Sequence, residues 1–193
     1  GAGARGLSGL RPVQTLPLPN GENLQVWRPL LSYSKEQIQV YLRSHGISWR
    51  EDKSNQTTKY RRNQIRQVIL PLLSKWNPNL SETLARLGEV NAAEDALFEE
   101  LLKPVERKVK SHWGKRSYTC NASDFIKVPL ALQRRWIRYA CEKLEPSSRG
   151  LSFDRIEEIL HLWEGKKKGP RDMGFGLAAG RNRNQAFLQR KRQ

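Results

Sequence analysis

The sequence is poor in the residues that build metal centres, disulfide frameworks and membrane spans. Its 193 residues include two cysteines and three histidines. Cys120 and Cys141 have neither a CxxC spacing nor a histidine partner at zinc-ligand spacing, which argues against zinc and favours a reducing compartment. We interpret His45, His112 and His161 as surface or packing side chains, because they are far apart in sequence. No apolar run approaches ~20 residues, so no transmembrane helix is predicted.

Acidic residues are also scarce relative to basic ones. The chain carries 35 Lys and Arg against 19 Asp and Glu, which gives a net charge of +16, a pI near 10.3 and a mean hydropathy of -0.72. Residues 1–76 carry +8 and residues 106–193 carry +12, separated by residues 77–105 with -4. Two basic blocks of this size predict contacts with a nucleic-acid backbone. The alternative is that these residues are scattered over solvated faces.

The most informative part of the chain combines acids, amides and arginines within sixteen residues. It reads EDKSN at residues 51–55 and YRRNQIR at residues 60–66. Arginine offers a fixed fork of donors that suits phosphate, whereas carboxylates and amides orient an amine, a metal ion or a sugar hydroxyl. The pattern predicts a polyanion site with an acidic corner. The alternative is a solvated loop that leads into a surface helix.

This segment, followed by VILPLL, resembles the end of the catalytic domain of the tRNA(Ile)-lysidine synthetases, which are PP-loop ATPases of bacteria and plastids. Two further segments agree in order and spacing. GAGARGLSGL at residues 1–10 resembles the family's glycine-rich RGxGxxGLxG stretch, and WRPLL at residues 27–31 precedes SKEQI at residues 34–38. The detailed match covers roughly residues 1–76. The family's ATP-binding SGGxDS loop is absent from the sequence, and we expect a fragment that lacks most of the nucleotide-binding domain.

The resemblance implies a ligation in two steps that uses ATP and Mg²⁺. ATP activates the C2 oxygen of the wobble cytidine in the CAU anticodon of tRNA(Ile), and the amine of free L-lysine then displaces AMP to form lysidine. The catalytic candidates are Asp52, Arg62 and Arg66, and the substrate-binding candidates are Arg5, Asn55 and Asn63. The arginines would face phosphates, and Asp52 would hold or deprotonate the lysine amine. For Asn55 and Asn63, capping and turn formation are the alternative roles.

No residue of this chain is assigned to a cofactor or metal, since the main ATP-binding loop is absent. The partners implied by the resemblance are tRNA(Ile) and free lysine, without a membrane, and a homodimer is considered. The expected location is the cytoplasm or the plastid stroma. By itself, the polypeptide is expected to be inactive.

Hydrophobic periodicity and the positions of proline, glycine and capping residues predict a mostly α fold in three parts. Residues 1–76 are expected to be the C-terminal remnant of a doubly wound α/β PP-loop domain, residues 77–164 a helical tRNA-binding domain, and residues 165–193 a basic Gly- and Arg-rich tail of loop, short strand or disorder. The predicted elements are a strand before Pro29, a helix capped by Ser34, a helix bent at Pro71, a long helix from Leu80, a strand over Ser117–Asn121, a helix from Pro129 and a helix capped by Ser152.

Among the six tryptophans, Trp76, Trp136 and Trp163 lie at helical core positions, whereas Trp27 and Trp49 adjoin the motifs and are candidates for base stacking. Two other functions are kept open. One is a stand-alone basic helical module that binds RNA or DNA without catalysis. The other is a different PP-loop enzyme such as a tRNA thiolase, which is disfavoured because both cysteines fall in the helical part.

Overall fold

The computed structural model describes residues 3–18, 22–50, 58 and 60–191. By compactness the chain divides into two units, Ala2–Ala93 and Glu94–Gln193. The division falls inside the helix Leu80–Leu102, whereas the predicted domain boundary lies before that helix, at residue 77. The domain assignment from sequence therefore stays a prediction.

The N-terminal unit combines a β-hairpin with helices. Its elements are α1 (Ala4–Leu7), β1 (Val13–Pro17), β2 (Asn23–Trp27), α2 (Lys35–Ser44), α3 (Arg61–Gln64), a π-helical turn (Ile65–Ile69), α4 (Leu70–Trp76) and the first part of α5 (Leu80–Leu102). β1 and β2 pair antiparallel, with Val13 opposite Trp27. The predicted cap of α2 is confirmed, because the Ser34 side chain accepts from the Gln37 backbone while the Gln37 side chain accepts from the Ser34 backbone.

Apolar side chains of the N-terminal unit are left uncovered. None of its described apolar side chains is buried, and the buried ones are polar, Ser8 and Asn91. The prediction of a core position for Trp76 is wrong, since this side chain is 86% exposed at the end of α4. Ile69 is also 46% exposed, although it lies at helical spacing from Ile65 and Trp76. An exposed apolar surface of this extent is typical of an interaction surface that another domain or protein covers.

The C-terminal unit holds the core of the chain. Beyond α5 it contains α6 (Val105–Lys108), β3 (His112–Trp113), β4 (Ser117–Asn121), α7 (Ala122–Ile126), α8 (Leu130–Leu144), a 3₁₀ turn (Pro146–Gly150), α9 (Phe153–Glu164), β5 (Arg171–Gly174), β6 (Leu177–Asn182) and β7 (Gln185–Arg190). The strand predicted over Ser117–Asn121 and the helices predicted from Pro129 and Ser152 are confirmed. No helix in the described ranges is both long and apolar enough to cross a membrane.

A five-stranded antiparallel sheet in the order β3-β4-β7-β6-β5 organises this unit. Of the alternatives predicted for residues 165–193, which were loop, short strand and disorder, the structure shows short strands over much of their described part, because β5, β6 and β7 form three of the five strands. Leu177, Ala179, Ala186 and Leu188 are fully buried, whereas Ala178 and Phe187 between them are only half-buried, so these strands contribute one face to the core. α8 and α9 pack against this sheet. Burial of the alternating side chains outweighs the high local charge.

Aromatic side chains and one hydroxyl fix the centre of that core. Trp163 is fully buried, stacks on Tyr118 at 5.9 Å between ring centroids and meets the edge of Phe125 at 4.8 Å. The Tyr118 hydroxyl accepts from Trp136 Nε1 at 2.5 Å and lies 2.9 Å from Ser111 Oγ. Burial raises the pKa of Tyr118 far above its usual range. The core positions predicted for Trp136 and Trp163 are confirmed.

Candidate active site and nucleic-acid surface

The arginine-rich segment forms one helical stretch that changes type before its proline. Residues Arg61–Gln64 are α-helical and Ile65–Ile69 are π-helical, and the Leu70 N–H donates to Ile65 O, five residues back. Pro71 stands at the start of α4 and has no N–H to donate to an earlier carbonyl. The π-helical turn ends two residues before this proline, and both features interrupt the regular hydrogen bonding of an α-helix. The predicted break at Pro71 is thus a local change of helix type.

Arg62, Asn63 and Arg66 lie together on this stretch. Arg62 and Arg66 are exposed, and Asn63 is half-buried. Four residues are slightly more than one turn of an α-helix and slightly less than one turn of a π-helix, so Arg62 and Arg66 share a face in either geometry. Two exposed guanidinium groups on one face can contact a polyphosphate or a nucleic-acid backbone.

The other predicted site residues are not on this stretch. Arg5 is exposed on α1, and its carbonyl accepts from Ser8 Oγ at 2.8 Å. Asp52 and Asn55 lie outside the described residues. The structure therefore brings three of the six candidates onto one helical segment and places Arg5 on a separate short helix.

The described residues do not form a complete site for ATP and Mg²⁺. Within residues 3–18, 22–50, 58 and 60–191, no group of three His, Cys, Asp or Glu side chains could hold a metal ion. The sequence contains no SGGxDS loop to cradle a triphosphate. Arg5, Arg62 and Arg66 could supply cations to the phosphates of ATP.

Trp27 and Trp49 differ in accessibility for base stacking. Trp27 is 74% exposed at the end of β2, and no ring or cation stacks on it within the described part of the chain. The Arg43 guanidinium lies 5.6 Å from the centroid of the Trp49 ring. Trp27 is the more accessible of the two.

Many basic residues of the C-terminal unit are held by carboxylates. Arg134 donates twice to Glu157, at 2.7 and 3.0 Å, and this pair holds the pKa of the Glu157 carboxyl below its usual range. Arg190 lies 2.9 Å from Glu145, so part of the basic run at the end of the chain is structural. The large positive charge of this unit thus overstates the number of cations free to contact a ligand.

A buried ion pair in the same unit was not predicted from the sequence. Asp95, with a side chain 1% exposed, accepts from Arg135 Nη1 at 2.6 Å, and the Arg135 guanidinium lies 4.3 Å from the centroid of the Phe98 ring. Asp95 lies in the acidic block, where its charge predicts a solvated side chain. Its place on the apolar side of α5, between Asn91 and Phe98, was the available signal.

Comparison with known proteins relates both units to one family. A model of the PP-loop domain matches residues 1–73. A tRNA(Ile)-lysidine synthase of Geobacter sulfurreducens is 31% identical over 162 residues, which are 84% of this chain and 33% of that protein. Proteins of the same name from Solibacter usitatus and Hamiltonella defensa are 32% and 36% identical over 84% and 85% of the chain, covering 35% and 33% of their own lengths.

The chain belongs to the tRNA(Ile)-lysidine synthase family. A match of 162 residues is more than twice as long as the PP-loop match, so the similarity includes much of the C-terminal unit as well. The predicted family is thereby confirmed. The chain spans about a third of the length of the curated relatives it matches.

Proposed function

We propose that this chain takes part in the ATP-dependent ligation of lysine to the wobble cytidine of the CAU anticodon of tRNA(Ile), which forms lysidine. The C2 oxygen of the cytidine would attack the α-phosphate of ATP and release pyrophosphate. The lysine ε-amine would then attack C2, releasing AMP and a proton. Residues 1–76 would contribute to the catalytic PP-loop domain, and residues 77–164 would bind tRNA.

The observation that carries this proposal is the extent of the family similarity. It runs past the PP-loop match at residue 73 and covers 84% of the chain. A generic nucleic-acid module attached to an unrelated domain would not share both parts with proteins of one name. The net charge of +16 supports a polyanionic partner but does not identify it.

In this proposal, Arg62 and Arg66 face the reacting phosphates from one side of their helix. Arg5 would add a third cation, and Mg²⁺ held by the phosphates of ATP would offset their remaining charge. Asp52 would hold the ε-amine of free lysine or accept its proton, and Asn55 and Asn63 would orient the ribose or the base. These roles rest on the residue types and on the family resemblance.

The uncovered apolar side chains of residues 3–93 support the proposal that this unit is one part of a doubly wound PP-loop domain. Side chains such as Ile65, Ile69 and Leu72 are about half exposed in a segment with helical apolar spacing. Covering them with the rest of a PP-loop domain would gain roughly 25 cal/mol for each Å² of apolar surface removed from water. A homodimer, and a location in the cytoplasm or plastid stroma, stay predictions.

Binding of the 193-residue chain to tRNA(Ile) tests the proposal. If about 4 to 6 phosphates are neutralised, the log–log slope of affinity against salt should be roughly -3 to -5. Duplex DNA of equal length, titrated in parallel by filter binding, is the control and should bind more weakly. A flat salt dependence would contradict the phosphate account, and equal affinity for the DNA would favour a generic nucleic-acid module.

A further inference from the structure

A polar cleft of about 440 Å³ lies in the C-terminal unit, beside the end of β4 and the turn that joins β6 to β7. The residues that matter for its chemistry are Lys110, His112, Asn121, Asn182, Arg183 and Asn184. None of the described residues that line it is acidic. A concave site with cations and amides but no carboxylate favours an anion that also carries hydroxyl or amide groups.

Both cations of the cleft occupy backbone positions that normally favour glycine. Lys110 has φ 51° just after α6, where glycine commonly ends a helix. Arg183 has φ 52° and is the first of two residues between β6 and β7, where glycine is usual if only the first residue has positive φ. Phe175 is the other non-glycine residue with positive φ among the residues described. Such positions are strained and cluster at binding sites.

The asparagines at the cleft divide into structural and accessible ones. Asn121 Oδ1 accepts from the Asp124 backbone at 2.9 Å and from Asn184 Nδ2 at 3.3 Å. Asn184 Oδ1 accepts from the Ser123 backbone at 3.0 Å. These bonds fasten the β6–β7 turn to the start of α7 and fix the wall of the cleft. Asn182 makes no side-chain hydrogen bond with the part of the chain that the structure describes, so its amide is open to a ligand.

The basic side chains of the cleft are also accessible. His112 and Arg183 are exposed, and neither side chain forms a hydrogen bond or ion pair within the described ranges. Lys110 Nζ lies 3.6 Å from Asp124 Oδ2, beyond hydrogen-bond distance, and Asp124 is also paired with Lys127 at 3.4 Å. Lys110 is thus held loosely and can turn to a stronger anion.

We propose that this cleft binds one nucleotide of the RNA backbone, with its phosphate between Lys110 and Arg183 and its ribose or base edge toward His112 and Asn182. The inference rests on the proposed function, because it assumes that the chain binds tRNA. The volume falls within the range of sites for small ligands. An exposed cleft suits a polymer that continues on both sides, and phosphate contacts of this kind position RNA without reading its sequence.

Glycine substitutions separate binding from folding in this site. Lys110→Gly and Arg183→Gly each remove a cation and relieve a positive φ, so we expect tRNA(Ile) affinity to fall about tenfold while the melting temperature stays equal or rises. The log–log salt slope should become shallower by roughly 0.7 to 0.9 for each variant. Arg183→Lys, which keeps the charge, should retain most of the affinity.

Two controls match these variants. Phe175→Gly relieves the same kind of strain away from the cleft and should leave tRNA affinity unchanged. Lys115→Gly removes one exposed charge before β4, at the opposite end of that strand from the cleft, and should weaken binding less than about twofold.

The outcomes separate this inference from the proposed function. A wild-type chain that does not bind tRNA overturns the proposed function and this inference with it. Wild-type binding together with cleft variants that behave like Lys115→Gly overturns the cleft alone. Complete displacement of bound tRNA by AMP would assign the cleft to free nucleotides and overturn the RNA assignment.

Discussion

Trp163 is buried and Trp76 is exposed, so replacing each by alanine tests which of the two units contains the stabilising core. Trp163 is 0% exposed and Trp76 is 86% exposed. Burying a tryptophan removes roughly 150–250 Å² from water, worth about 4–6 kcal/mol at ~25 cal/mol per Å². Because the unfolded chain already buries part of that area, we expect Trp163→Ala to lose about 3–5 kcal/mol of unfolding free energy. Trp76→Ala should change it by less than about 0.5 kcal/mol.

Urea unfolding followed by far-ultraviolet circular dichroism measures both losses without relying on tryptophan fluorescence. A loss of this size is a large fraction of the ~5–15 kcal/mol that holds an ordinary domain, so Trp163→Ala can be largely unfolded. Trp163→Phe then serves as a milder variant, since it keeps an aromatic ring and loses the hydrogen bond from Nε1 to Phe187 O at 3.3 Å. Equal losses for Trp163→Ala and Trp76→Ala would refute the assignment of the core to the C-terminal unit.

Three further predictions concern charge and catalysis. Arg134 keeps the pKa of Glu157 below its ordinary 4.5, so this carboxylate stabilises the fold above that pH, and the stabilisation is lost as pH falls through the lowered pKa. Glu157→Gln should therefore make the free energy of unfolding depend less on pH below about pH 4.5. An unchanged pH dependence would contradict the pairing. Mixed with ATP, lysine and tRNA(Ile), the 193-residue chain alone should release no AMP above background, and clear turnover would show that the active site is misplaced. In a chimera that supplies a PP-loop, Arg66→Ala should slow lysidine formation at least ~100-fold with an unchanged melting temperature. Ile69→Ala, at a half-exposed site, should lower the free energy of unfolding by less than the roughly 2–5 kcal/mol expected at a buried site. An Arg66→Ala protein that melts early but reacts normally would make this arginine structural.

Local signals in the sequence were enough to predict the helices and caps of the C-terminal unit. Ser152 and Pro129 mark the starts of α9 and α8, and the spacing of Trp136 and Ile137 defines the buried face of α8. Such signals act over a few residues and need no knowledge of the tertiary structure.

The sequence indicates the strands at the end of the chain only as one alternative, beside loop and disorder. β6 and β7 are joined by Arg183 and Asn184, without the glycine that usually marks a two-residue hairpin. β7 also pairs with β4, in a register that sets Tyr118 opposite Leu188 across about seventy residues of sequence. Pairing over that distance leaves no local trace, and the surrounding charge favours a prediction of disorder.

The candidate site was predicted by residue type and only partly by arrangement. The shared face of Arg62 and Arg66 follows from their spacing. Pro71 indicates a bend in this helix, but the π-helical turn over Ile65–Ile69, which contains Arg66, has no local sequence signature. The exposure of Trp76 and Ile69 could not be predicted either, because helical spacing shows which side chains share a face and not whether anything covers that face.

Lysidine formation by a chimera tests whether this chain can form part of a working tRNA(Ile)-lysidine synthase. The part of this chain that matches the Geobacter sulfurreducens tRNA(Ile)-lysidine synthase would replace the matching segment of that protein, and the rest of that protein's sequence would be kept. After incubation with ATP, lysine and tRNA(Ile), mass spectrometry of the digested tRNA would measure lysidine, with the unaltered Geobacter protein as positive control and circular dichroism to check folding. We expect lysidine from the chimera and none from the 193-residue chain alone. A folded chimera that binds tRNA(Ile) but forms no lysidine would contradict it.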